Sequence, residues 1–169
     1  MSFDGVDDYI MISSQPIPSL NFTIAVWING NSFTPSGRFN RIVAINYGSY
    51  TLDNPFALFV NNDNKIGYIF GTGNSNLDSQ VPISFSPVLS TQSWHHIVLS
   101  FDGTRKKLYV DGNYAGSINN SNTFTNPNNE NLLIGDFSSS SINNGEWEGK
   151  IDDVRIYNRA LSQAEITKL

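Results

Sequence analysis

Apolar residues along this chain recur in runs of roughly four to eight, each closed by Gly, Asn, Asp, Pro or Ser, the punctuation of an all-β protein. The runs predict strands at about Tyr9–Ile12, Phe22–Asn29, Arg41–Tyr47, Phe56–Val60, Lys65–Phe70 and Val81–Phe85. Further strands are predicted at His95–Phe101, Lys106–Val110, Tyr114–Ser117, Asn131–Ile134 and Glu148–Tyr157. Several alternate cleanly. Ile24, Val26 and Ile28 share one face, with Thr23, Ala25 and Trp27 on the other. Ile97, Leu99 and Phe101 oppose His96, Val98 and Ser100, and Val154 and Ile156 flank Arg155. Period-two patterning buries one face of each strand against a second sheet, so the pattern predicts a two-sheet antiparallel β-sandwich. Asp102-Gly103 and Asp111-Gly112 place turns at both ends of Lys106–Val110, making His95–Ser117 a three-stranded meander. The last nine residues carry the one helix signal. Ser162 and Glu165 have capping-box spacing, and Leu161 with Ile166 can staple a short C-terminal helix to the core.

Composition narrows the possible partners. The 169 residues fit one domain, spanning 1–169. Only 15% are charged, and the balance is made up by Asn, Ser, Thr and Gly, while aromatics reach 12%. A surface of amides and hydroxyls with spare aromatics suits neutral polar ligands better than phosphates. A net charge of −5 argues against nucleic acid, whose binding draws on Lys and Arg. Arg105, Lys106 and Lys107 are the one basic cluster, and beside Asp102 they read as a solvated hairpin edge. With no cysteine there is neither a disulfide framework nor a thiolate metal site. No apolar run approaches the ~18 residues of a membrane span, and no signal peptide is expected ahead of Phe3. The expectation is a domain of a longer protein, monomeric in isolation, without internal repeats. The polar stretches 119–129 and 138–144 are expected at the surface.

Four segments carry a resemblance. Phe3-Asp4-Gly5-Val6-Asp7-Asp8-Tyr9-Ile10 resembles the opening of laminin-G-like jelly rolls, and Phe22 to Ile28 looks like their second strand with its Trp. Trp94-His95-His96-Ile97 through Asp102-Gly103, then Lys107-Leu108-Tyr109-Val110-Asp111-Gly112, is similar to their central meander. Gly149-Lys150-Ile151-Asp152-Asp153-Val154-Arg155-Ile156-Tyr157-Asn158-Arg159-Ala160-Leu161-Ser162 is similar to their closing strand and helix. The order and spacings match along the whole chain, and the resemblance is to the laminin-G-like jelly-roll domains of the concanavalin A-like lectin/glucanase superfamily. It implies two stacked antiparallel sheets, one concave, with the first and last strands adjacent. Its members include lectins, carbohydrate-binding modules, adhesins, pentraxin-like proteins and glucanases, so the fold alone does not choose a function.

The resemblance also implies a structural calcium ion, held by the Gly5 carbonyl and Asp152 with Asp4 as a third ligand. Hard cations take such oxygen donors. Asp152 shares strand parity with Val154 and Ile156, and a carboxylate on a buried face needs a partner. The competing reading is that Asp4 and Asp7 make Asx turns and that Asp152 accepts backbone N–H groups. For a glycan, Trp147 after its polar loop is the expected exposed platform. Tyr47, Tyr50, Tyr68 and Arg41 are expected to form a rim or concave-face site, while Trp27 and Trp94 are expected in the core. Hydrolysis needs two carboxylates flanking the scissile bond. The Glu-x-Asp-x-x-Glu pattern of related glucanases is missing from the sequence, and His95 and His96 point to opposite faces. The expectation is therefore a non-catalytic carbohydrate-binding, lectin-like module with calcium, binding a glycan or polysaccharide outside the cell or at its surface. The alternative is an adhesive, protein-interaction or structural domain of a surface or virion protein, with a glycoside hydrolase third.

Overall fold

Among the described residues the chain folds as two six-stranded antiparallel sheets packed face to face. The computed structural model describes residues 1–14, 17–18, 20–33, 39–45, 56–71, 77–80, 83–119, 131–136 and 145–169. Among these the strands are β1 (Ser2–Asp4), β2 (Ile10–Ile12), β3 (Asn21–Gly30), β4 (Asn40–Ile45), β5 (Phe56–Val60) and β6 (Ile66–Gly71). They continue with β7 (Leu77–Gln80), β8 (His95–Asp102), β9 (Arg105–Val110), β10 (Asn113–Asn119), β11 (Leu132–Ile134) and β12 (Glu148–Tyr157), before helix α1 (Gln163–Ile166). One sheet runs β1-β12-β3-β8-β9-β10 and the other β2-β11-β4-β5-β6-β7. The first strand pairs with the last, Phe3 opposite Gly149.

The alternation read from the sequence builds the core. Phe22, Ile24, Val26 and Ile28 of β3 and Ile97, Leu99 and Phe101 of β8 meet Phe56, Leu58 and Val60 of β5 and Tyr68 and Phe70 of β6. Rings of Phe22, Phe56, Phe70 and Phe101 lie 5.4–6.0 Å apart in tilted and edge-on pairs. The meander β8-β9-β10 forms as expected, and Asp111 (φ 52°) and Gly112 (φ 75°) give its second turn the left-handed pair that a tight hairpin requires. At the first turn, burial alone would raise the Asp102 pKa. The Lys107 ammonium, the Thr104 hydroxyl and the backbone N–H groups of Arg105 and Thr104 outweigh it and hold the carboxyl well below the usual range.

Two expectations are corrected. The predicted strand at Val81–Phe85 is a turn in its described part, where the Ser86 N–H donates to the Ile83 carbonyl, and the strand lies earlier, at β7. Pro82 gives that segment one donor fewer for a ladder. Lys106 is not solvated. It shares inward parity with Leu108 and Val110, so it is 1% exposed with its Nζ 4.6 Å from the Phe70 ring centre and 4.7 Å from that of Phe101. Apart from Asn119, the polar stretches 119–129 and 138–144 lie outside the described residues.

Helix α1 caps the outer face of the first sheet. Both halves of the capping box form between Ser162 and Glu165. Leu161 and Ile166 pack on Ala25, Val98 and Tyr109. The buried Thr23 hydroxyl anchors this segment, donating to the Arg159 carbonyl (2.9 Å) and accepting from the Leu161 N–H (2.9 Å). The helix covers one end of the face only.

Candidate functional site

Beyond α1, among the described residues, that face carries a cleft of about 540 Å³ lined by Trp27, Trp94, Asp152 and Asp153. Local sequence builds each wall. Trp27 lies on the outward parity of β3, between His96 of β8 and Asp152 of β12 in the sheet register. Its indole stacks on the His96 imidazole (centroids 4.9 Å, 23° between planes). Burial pushes the His96 pKa down, against the raising effects of Asp111 and Asp153, so the ring beneath Trp27 is neutral at pH 7. Trp94 stands just before β8 and is 43% exposed.

The carboxylates reach the cleft through a β-bulge. Asp152 pairs with Trp27 and Arg155 with Ala25, so the three steps along β12 span two on β3. The extra residue is taken up at Asp153, which adopts a left-handed conformation (φ 49°) that Asp tolerates better than most residues. Ile151 and Val154 therefore both turn inward, and Asp152 and Asp153 both turn out. Asp153 is clamped by Arg155, whose Nε and Nη2 donate to its two oxygens at 2.8 and 2.7 Å. These bonds raise the Arg155 pKa. The Asp152 carboxylate accepts from the Asp153 N–H through Oδ1 (2.9 Å) and forms no ion pair among the described residues.

The residues singled out from sequence are distributed otherwise. Trp147, expected as an exposed platform, is 1% exposed and packs in the core with Phe33. It lies on the inward side of the entry to β12, its backbone N–H bonded to the Gly135 carbonyl (2.7 Å), so neither ring face is offered to a ligand. Tyr68 is fully buried on the inward side of β6. Arg41 is 7% exposed, with its guanidinium over the Phe39 ring and its Nη1 donating to the Phe39 carbonyl (3.4 Å). Tyr47 and Tyr50 lie outside the described residues. Trp27 and Trp94, expected in the core, are the aromatic walls. Trp27 belongs to the outward set of β3, which α1 covers only as far as Ala25.

A family model described as concanavalin A-like lectin/glucanases superfamily, of laminin-G type, matches residues 4–167. The chain belongs to this superfamily. Among solved structures it is similar to domain 4 of AbnA, a GH43 extracellular arabinanase of Geobacillus stearothermophilus, in complex with arabinotriose. That match has 18% identity and a TM-score of 0.73 over 99% of this chain and 74% of that one. It is also similar to the CBM40 of the Ruminococcus gnavus IT-sialidase bound to α2,3-sialyllactose, at 14% identity and TM-score 0.67 over 88% and 82% of the two chains. A third is the heptameric SAP-like pentraxin of Limulus polyphemus, at 15% identity and TM-score 0.66 over 98% and 78%. A search of curated proteins finds no match. At these identities the structural likeness establishes the fold.

The calcium clamp that the superfamily implies does not assemble from Asp4, Gly5 and Asp152. The β1–β12 register sets Asp4 opposite Glu148, whereas Asp152 lies four residues further along β12, roughly 13 Å away at ~3.3 Å per residue. The bulge also makes Asp152 exposed, which removes the buried parity that argued for an ion. A different oxygen set does converge. The carboxylates of Asp4, Asp7 and Asp8 have ligand atoms within 4.8 Å of one another, while Asp4 caps the Val6 N–H (2.9 Å) and Asp8 the Asp4 N–H (2.9 Å).

One further polar chain joins residues that no sequence spacing connects. Ser90 Oγ lies 2.9 Å from His95 Nε2, and His95 Nδ1 lies 2.9 Å from Asp111 Oδ2. The order is that of a hydrolytic triad, but the Asp111 side chain is 45% exposed, where triad chemistry uses a buried carboxylate. Its other oxygen takes the His96 N–H (2.8 Å), and the Asp111 N–H donates to the His96 carbonyl (2.8 Å). The chain clamps the β9–β10 turn onto the start of β8.

Proposed function

We propose that this chain is a non-catalytic carbohydrate-binding module whose ligand lies in the cleft of Trp27, Trp94, Asp152 and Asp153. The observation that carries the reading is the β12 bulge, which turns two carboxylates outward beside two tryptophans. Bulges of this kind re-aim side chains at functional sites. An indole face suits the C–H surface of a sugar ring, and a carboxylate accepts hydrogen bonds from neighbouring hydroxyls. The arabinotriose and sialyllactose complexes of its structural neighbours support a glycan ligand. The extracellular arabinanase among them supports a site of action outside the cell, within a larger protein. Hydrolysis is disfavoured because Arg155 occupies both oxygens of Asp153, leaving one available carboxylate where the chemistry needs two. A structural calcium ion, in this reading, belongs to the Asp4–Asp8 turn and plays no part in the cleft.

The test is affinity electrophoresis through gels containing arabinan, xylan or mixed-linkage β-glucan. At least one should retard the wild-type chain, and Trp94→Ala should abolish the retardation without lowering Tm. Retained binding in Trp94→Ala would remove the cleft from consideration. If none of a broad set of glycans binds, an adhesive role on a protein surface becomes the better account.

A further inference from the structure

We infer that the cleft selects uncharged glycans and rejects sialylated or otherwise anionic ones, an inference that rests on the carbohydrate-binding reading above. Recognition of a sugar carboxylate calls for a cation with free donors, typically the planar fork of arginine. Arg155, two residues beyond the bulge, has the Nε–Nη2 edge of its guanidinium occupied by Asp153, at 2.8 and 2.7 Å, so a sugar carboxylate would compete with Asp153 for that edge. The imidazole beside this pair, His96, is buried under Trp27 and held neutral by that burial. Asp153 and Arg155 cancel, and Asp152 remains as a carboxylate on the cleft wall with no ion pair among the described residues, the exposed Lys150 standing two residues before it on β12 and outside the cleft lining. Among the described residues its Oδ1 takes the Asp153 N–H, and none donates to Oδ2.

An anionic sugar would have to approach Asp152 or displace Asp153 from Arg155. Either exposes like charges to one another at about 4–5 Å, a penalty of roughly tenfold or more in affinity near a protein surface. A neutral sugar meets the complementary chemistry. Its hydroxyls donate to Oδ2 of Asp152 while its C–H face lies against Trp94. The net charge of −5 over the whole chain reinforces the discrimination.

The experiment uses the intact chain on printed glycan pairs that differ only by a terminal sialic acid, together with the neutral polysaccharides that retard it in gels. Neutral members should bind at least about tenfold more tightly than their sialylated partners at low salt, with the ratio shrinking as NaCl screens the repulsion. Asp152→Asn should weaken neutral binding and narrow the ratio, with Tm unchanged because the side chain is exposed. Equal or preferred binding of the sialylated partners, still dependent on Trp94, would overturn the selectivity while leaving the carbohydrate site intact. An Asp152→Asn chain that keeps the full ratio would also overturn it, because the charge invoked would not be responsible. Absence of binding to every neutral probe would sink both the selectivity and the reading beneath it.

Discussion

Replacing Trp147 by alanine separates a core role from a binding role. The ring is 1% exposed and packs 5.9 Å from Phe33, so truncation removes a large buried side chain and leaves a cavity. Such changes cost about 3–5 kcal/mol. For a chain of 169 residues, ~2–4 °C per kcal/mol puts the fall in Tm on the order of 10 °C. Trp147→Phe tests the polar part separately. The indole Nε1 is buried and finds no hydrogen-bond partner among the described residues. Leaving a buried donor unsatisfied costs about 1–3 kcal/mol. Phenylalanine relieves that penalty while opening a smaller void, so the two effects nearly cancel and Trp147→Phe should melt within a few degrees of wild type. The assay is thermal unfolding followed by near-UV circular dichroism, with glycan retardation measured well below each midpoint. A phenylalanine variant that falls as far as the alanine one would refute the account of the N–H. An alanine variant with unchanged Tm and lost glycan binding would show that the ring is a surface platform after all.

Thr23→Val keeps the side-chain volume but removes the bonds to Arg159 and Leu161; it should cost about 1–3 kcal/mol in urea unfolding, and an unchanged midpoint would mean the C-terminal segment is held by Leu161 and Ile166 alone. The depressed His96 pKa makes stability fall as pH drops from 7 through the unfolded value of ~6.5, because the unfolded chain then takes up a proton that the native ring beside Asp111, Asp153 and Arg155 declines. The fall ends once the native ring protonates, so His96→Gln should flatten Tm between pH 7.5 and 5.5, and an unaltered slope would assign the effect elsewhere. If calcium occupies the Asp4–Asp8 turn, chelation should lower Tm in wild type but not in an Asp7→Asn, Asp8→Asn double variant; equal responses in both would take the ion away from that turn. Gly149→Ala should unfold the closing strand's entry, because the glycine sits at φ 132° and a Cβ there would collide with the Asn29 carbonyl. Wild-type Tm for that variant would contradict the geometry.

The sandwich and its meander were legible because they rest on period-two patterning, which a single sequence displays directly. Ile24, Val26 and Ile28 could hardly face water together. The cleft was half legible. The same alternation that buried Ile28 put Trp27 outward, yet family position argued for the core, and the outcome depended on how far α1 reaches. The bulge left a trace in the spacing Ile151, Val154, Ile156, where a step of three precedes a step of two. Reading β12 as an unbroken strand gave Asp152 the wrong face and a calcium ion it cannot share with Asp4. Trp147 misled for a different reason. The polar stretch before it suggested exposure, but a residue entering a strand takes its face from the register of the ladder, and neighbouring composition does not encode that. Lys106 shows the converse, since parity alone would have turned it inward and its charge argued otherwise.

The extra residue in β12 has one more consequence. Inward positions before and after the bulge are occupied by Ile151 and Val154, so the interior sees an uninterrupted apolar sequence whatever stands between them. The two outward residues are thereby insulated from the packing that folds the domain. Position 152 can change to suit a different ligand, and position 153 among residues that tolerate a left-handed backbone, while the hydrophobic interior, the hairpins and the C-terminal cap stay as they are. In this chain, specificity and foldability are written in adjacent letters, tied to each other only through the backbone turn at Asp153.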